Sequence, residues 1–126
     1  MPLRLATGTE SSFPILCSLW FMYDAGRLIC ATQADAKVAR ALESDARCAF
    51  EISTNEMPYF GFRGRGSASL SRDGAEDALE RLIDRYLGRR DSGLAKWLLS
   101  RANNEVQISI EIDWATSWDY SQRMSR

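Results

Sequence analysis

The sequence contains no histidine. That removes the commonest general base, the Ser–His and Cys–His nucleophile pairs, and the commonest metal and haem ligand. Chemistry performed here must be borrowed or need little proton transfer. The three cysteines, Cys17, Cys30 and Cys48, are odd in number, far apart and without CxxC spacing. They read as small buried hydrophobes in a reducing compartment. No apolar run approaches the roughly 20 residues of a membrane helix. No signal-like apolar segment opens the chain, so the expected location is the cytoplasm. Sixteen basic and 17 acidic side chains leave a net charge of −1, without the basic excess that nucleic acid or an anionic membrane would need. Neither partner is expected. Repeats, low-complexity tracts and linkers are also missing.

What remains is ordinary globular material. The chain has 126 residues, 45% apolar and 26% charged. It is expected to form one domain over 1–126 and to bury a core without disulfide or metal staples.

The first half reads as strands. Leu3–Thr7 is short and apolar, and Gly8–Ser12 is a polar turn. Pro14–Tyr23 is a long strand, followed by a hairpin turn at Tyr23–Gly26 and the return strand Arg27–Thr32. In Pro14–Tyr23, Ile15, Cys17, Leu19 and Phe21 point one way; Leu16, Trp20 and Met22 point the other. A strand apolar on both faces is buried on both, so the second face is expected to meet a ligand or another subunit. Ala36–Glu43 is a short helix with Lys37 and Arg40 on one side. Ala46–Ser53 and Tyr59–Leu70 are strands; Gly64 and Gly66 in the latter suggest a bend, a bulge or close backbone approach. Arg63 and Arg65 share its polar face.

Asp73–Arg89 is the clearest helix, with an Asp73/Glu76 capping box, an Asp77–Arg81 pair, and Arg81, Arg85 and Arg89 on a solvated stripe. Ser92 caps a second helix, Gly93–Arg101. Glu105–Trp114 alternates cleanly, with Val106, Ile108, Ile110, Ile112 and Trp114 on the core side. Trp97 also reads as core. The tail, Ala115–Arg126, carries Trp118 and Tyr120. The sum is a mainly β chain of six strands with inserted helices, a pattern that suits a small barrel.

One segment can carry chemistry. Ile29 to Arg40 runs from a strand end at Thr32 through a short polar loop into a helix. Helix N-terminal N–H groups, Thr32 and Gln33 as donors, and the charges of Lys37 and Arg40 make a phosphate cradle of a common kind. Leu28–Thr32, then Lys37, Leu42 and Asp45-Ala46-Arg47 resemble the FMN-binding, pyridoxamine 5′-phosphate oxidase-like split-barrel family. The resemblance extends through Leu5-Ala6-Thr7, Leu19-Trp20-Phe21, Phe62-Arg63-Gly64-Arg65-Gly66, Arg85-Tyr86-Leu87-Gly88 and Ser117-Trp118-Asp119-Tyr120.

The resemblance implies a six-stranded split β-barrel that forms a homodimer with FMN between the subunits. Thr32, Gln33, Lys37 and Arg40 would hold the phosphate. Ser18, Leu19 and Trp20 would line the isoalloxazine, and Trp118 would close the site from the other subunit. Asp35, where the family's loop carries serine, is expected to cap the helix beginning near Ala36. The implied function is an FMN-dependent oxidoreductase acting on a small molecule by hydride transfer through the flavin, which needs no histidine. The alternatives are a deazaflavin-dependent reductase and a non-catalytic flavin-binding or flavin-sensing dimer. The missing histidine argues against pyridoxamine phosphate oxidase activity itself.

Overall fold

The structure, a computed structural model, describes residues 1–9 and 12–124. Glu10 and Ser11 of the expected turn, and Ser125 and Arg126 of the tail, lie outside the described residues. The strands are β1 (Leu3–Thr7), β2 (Ile15–Leu19), β3 (Met22–Asp24), β4 (Arg27–Gln33), β5 (Arg47–Ser53), β6 (Phe60–Ser71) and β7 (Glu105–Asp119). The helices are α1 (Lys37–Ser44), α2 (Ala75–Leu87), α3 (Gly93–Ser100) and α4 (Ser121–Met124). Among the described residues, no helix is long and apolar enough to cross a membrane.

The seven strands form one antiparallel sheet in the order β2-β1-β5-β6-β7-β4-β3. The expected six become seven because Pro14–Tyr23 is not one strand. It breaks at Trp20-Phe21, where the chain passes from one outer strand of the sheet to the other. Leu19 and Met22 are three residues apart, at most about 11 Å from each other, so the sheet must curl until its outer strands are neighbours.

Inside the curl lies the main core: Leu3, Leu5, Phe21, Leu28, Cys30, Phe50, Ile52, Ile108 and Ile110, with Val38 and Leu42 of α1 against it. Outside, α2 covers the sheet with Ala78, Leu79, Leu82 and Ile83. Each large aliphatic of that stripe stabilises by about 1.5–3 kcal/mol on burial. Trp20 and Met22 pack beneath α2, so the second apolar face of this segment meets a helix of the same chain. Leu16 stays 71% exposed.

The crossing is pinned by Tyr86. Its ring stacks on Trp20, with centroids 5.1 Å apart and planes 7° from parallel. Its hydroxyl accepts a hydrogen bond from the Phe21 backbone N–H (3.3 Å) and donates one to the Met1 carbonyl (2.6 Å). The arginine stripe is therefore not simply solvated. Arg81 pairs with Asp24 at 3.0 Å rather than with Asp77, and Arg85 lies over the Phe21 ring at 5.0 Å. Arg89 pairs with Asp91.

The capping box is not formed: α2 starts from Gly74, at φ 78°, without a side-chain cap. Ser92 does cap α3, accepting from the Ala95 N–H at 3.1 Å.

The second half of β7 corrects the expected tail. The strand runs on to Asp119, paired with the start of β6. A register shift falls between Arg65 and Gly66, so that Arg65 pairs with Trp114 and Gly66 with Ile112. The extra residue, Asp113, reverses the inside–outside alternation. Ile112 faces in and so does Ala115, while Trp114 turns outward and is 51% exposed. Trp97, also expected in the core, is 53% exposed on α3. Each lies under an arginine: Arg65 over Trp114 at 5.8 Å and Arg101 over Trp97 at 4.8 Å.

The close approach expected at Gly64 and Gly66 is present. A Cβ at Gly64 would lie 2.3 Å from the Trp114 carbonyl oxygen, and one at Gly66 2.1 Å from that of Glu111. These are backbone atoms of the paired strand and have little room to move. Gly66→Ala is therefore expected to lower the unfolding free energy by about 1–3 kcal/mol, and the exposed Ser69→Ala by less than about 0.5 kcal/mol. Urea denaturation of the two variants checks this; equal stability would mean that β7 can shift away from β6 at no cost.

Candidate functional site

Five of the eight residues singled out from the sequence meet at one cleft. Ser18 and Leu19 end β2, Trp20 begins the crossing, and Thr32 and Gln33 end β4; all five line a space of about 310 Å³ between the outer side of the sheet and the helices. The helices supply Leu79 and Leu82 from α2 and Leu94 and Leu98 from α3, with Ala31 from β4. The walls are thus mainly apolar, and polar groups are few. The hydroxyls of Ser18 and Thr32 make no hydrogen bond among the described residues.

Gln33 is already engaged. Its side-chain amide donates to a Glu105 carboxylate oxygen and to the Arg101 carbonyl (3.2 Å), and its oxygen accepts from the Asn104 amide (3.0 Å). Both its hydrogens are in use, so Gln33 organises the turn before β7.

Asp35 belongs to the same network. Its carboxylate accepts from the Asn104 amide at 3.2 Å and does not cap α1. The cap position is Ala36, with no side-chain hydrogen bond to the first turn. The cap expected of Asp35 is lost because Asn104, brought alongside by the start of β7, competes for the carboxylate. The first N–H groups of α1 are left without a side-chain partner.

Glu105 and Arg101 also line the cleft, and sequence patterning gave no sign of either. Glu105 fell on the polar side of an alternating strand. The structure buries it to 7% exposure, paired with Gln33 across β4 and β7 and hydrogen-bonded by its side-chain amide. Burial pushes its carboxyl above the usual range; the Gln33 hydrogen bond and the Arg101 charge partly offset this.

Lys37 and Arg40 lie elsewhere. They line a second cleft with Gly8, Thr9, Ile15, Ser44, Asp45 and Arg47. Their side chains make no hydrogen bond or ion pair among the described residues, whereas Arg47 is held by Asp45 at 2.8 Å. The Arg47 guanidinium holds the Asp45 carboxyl down at about 2.

The two clefts sit at opposite ends of β2: Ile15 lines one and Ser18 the other, three strand steps or about 10 Å apart. Since β2 is an outer strand, its side away from β1 carries unpaired backbone groups.

Trp118 lines neither cleft. It lies on β7 opposite Gly61, thirteen residues from Glu105 and so up to about 40 Å away along the strand. Arg63 covers its ring at 4.9 Å, Tyr120 packs beside it at 5.1 Å, and its indole N–H is buried without a partner.

Burial pushes the Cys30 thiol up to about 12 and that of Cys48 up to about 11, and it raises the half-buried Cys17 as well.

No family model and no curated protein matches this sequence. Solved structures do. The conserved hypothetical protein Rv2991 from Mycobacterium tuberculosis is 22% identical and superposes with a TM-score of 0.77, over 98% of this chain and 79% of that one. An F420 reductase is 19% identical with a TM-score of 0.73, over 91% of this chain and 88% of that one. A candidate pyridoxamine 5′-phosphate oxidase from Listeria innocua is 15% identical with a TM-score of 0.65, over 92% and 86% of the two chains. The likeness to pyridoxamine 5′-phosphate oxidase-like split barrels read from the sequence is therefore shown at the level of the fold, with seven strands in the curled sheet.

Proposed function

We propose that this protein binds a flavin-type cofactor along the free edge of β2 and works as an oxidoreductase on a small molecule. The observation that carries the reading is the pair of clefts at the two ends of that strand. One is mainly apolar and offers unpartnered hydroxyls; the other offers two uncommitted cations. FMN has the same asymmetry, with a flat ring system at one end and a phosphate at the other.

In this reading Lys37 and Arg40 pair with the phosphate, beside the uncapped start of α1, where N–H groups and the helix dipole favour an anion. Ser18, Leu19, Trp20 and Thr32 face the ring. Trp20, immobilised by Tyr86, keeps that wall flat. Gln33 acts indirectly, by holding the Ala102–Asn104 turn. The unpaired backbone of β2 can hydrogen-bond the ring's polar edge. The bound cofactor supplies hydride transfer; the protein supplies orientation and an apolar wall.

The deazaflavin alternative is supported by the better superposition on the F420 reductase than on the Listeria protein. Both cofactors present a phosphate and a flat ring, so the same residues would serve either.

The reading includes a homodimer in which the partner copy brings Trp118 to the site. Its support is apolar surface. Leu16, Tyr23, Phe62 and Trp114 are each more than half exposed, an unusual load for a monomer of this size. Sedimentation velocity at micromolar concentration is expected to show a dimer; a stable 14.2 kDa monomer would remove this part of the reading.

The phosphate assignment is tested by titration. Lys37→Ala is expected to weaken FMN binding by about 1.5–3 kcal/mol, the worth of a charge-assisted hydrogen bond. Riboflavin, which lacks the phosphate, should bind both proteins equally. Equal FMN affinity in the two would take Lys37 out of the site. If neither FMN nor F420 binds the unaltered protein, the flavin reading fails.

A further inference from the structure

Glu105 is not accounted for by a flavin. A carboxylate at 7% exposure, on the wall of a mainly apolar cleft, is costly to keep and repels a phosphate. We propose that the cleft between α2, α3 and the sheet binds a small organic cation, an amine on an apolar body, with Glu105 as its counter-ion.

Three observations support this. First, Glu105 is the only carboxylate lining the cleft among the described residues, and it is held in place. The Gln33 amide binds one oxygen, and Gln33 is fixed in turn by the Arg101 carbonyl and Asn104. The other carboxylate oxygen, Oε1, accepts no hydrogen bond among the described residues.

Second, no cation among the described residues forms an ion pair with it. Arg101 is near enough to attract the charge, but its guanidinium lies over the Trp97 ring at 4.8 Å and forms no ion pair with Glu105. An ammonium group brought in by a ligand would face one open carboxylate oxygen. Ser18, whose hydroxyl makes no hydrogen bond among the described residues, lines the same space and offers a further acceptor.

Third, the walls suit an apolar body. Trp20, Leu79, Leu82 and Leu98 surround a volume of about 310 Å³, and Leu94 stands at the rim, half exposed. A carboxylate that burial destabilises gains more from a cation than a solvated one does. The apolar body excludes the water that would otherwise screen the pair.

This inference goes beyond the flavin reading and does not rest on it, since its charge partner is Glu105; Ser18 and Trp20 are shared with the flavin reading, so a flavin ring and the amine would compete for the cleft. The experiment compares benzylamine, benzyl alcohol and benzoate, which share a ring and differ in charge. Ligand-detected NMR titrations are run on the protein as purified, with and without added FMN. Benzylamine is expected to bind about tenfold more tightly than benzyl alcohol, and benzoate more weakly than either. Glu105→Gln, nearly the same shape, should bring benzylamine to the level of benzyl alcohol. Leu94→Trp, at the exposed rim, should weaken benzylamine severalfold whether or not Glu105→Gln folds.

Benzoate binding as tightly as benzylamine would overturn the proposal and give the site to Arg101. Undiminished benzylamine binding in Leu94→Trp, or in folded Glu105→Gln, would also overturn it. Loss of FMN binding with benzylamine binding intact would sink the flavin reading alone.

Discussion

The structure depends on a crossing of two residues. Trp20 and Phe21 carry the chain from β2, on one side of the sheet, to β3, on the other. A link so short forces the seven strands to curl. The curl creates an inside for Phe21 and an outside for Trp20. Tyr86 then bolts the crossing to α2 through one stacked ring and one hydroxyl that both accepts and donates. Arg81 and Arg85 hold the same helix to the same strands. The helix is thus attached where the sheet would otherwise open.

The site is a by-product of that geometry. Curling the sheet brings the end of β2 against the end of β4 and the first residue of β7, and α2 and α3 roof the result. Ser18, Thr32 and Glu105 are far apart in sequence and meet only there. The cationic pair Lys37 and Arg40 lies at the other end of β2, because α1 packs on the inner side of the curl through Val38 and Leu42. Two chemical environments on one strand edge give the reading its direction, from charge to ring.

Much of this was legible in residue patterns. Alternation marked β5 and most of β7, a short apolar run marked β1, the return from a hairpin turn marked β4, and the three-and-four spacing of Leu79, Leu82 and Ile83 marked α2. Gly64 and Gly66 marked the bulge. Family-like motifs picked out Ser18, Leu19, Trp20 and Thr32, which the structure brings together. What misled was local logic applied past its range. Trp114 continues a perfect alternation, yet one extra residue, Asp113, turns it outward. Asp35 has the right chemistry for a cap but is claimed by Asn104, 69 positions away. Arg81 has a partner one turn off in Asp77 and chooses Asp24, 57 positions off.

The sequence by itself determined most of the strand and helix positions and which faces are apolar, because these follow from short-range periodicity and side-chain chemistry. Tertiary structure decided everything that required two distant segments to be neighbours. It broke one apparent strand into two, buried Glu105 at a strand's first residue, committed Gln33 to a turn and sent Trp118 to the far end of β7. The physical reason is the same in each case. A polar or aromatic side chain has several partners it could satisfy equally well, and only the folded chain determines which of them lies within reach.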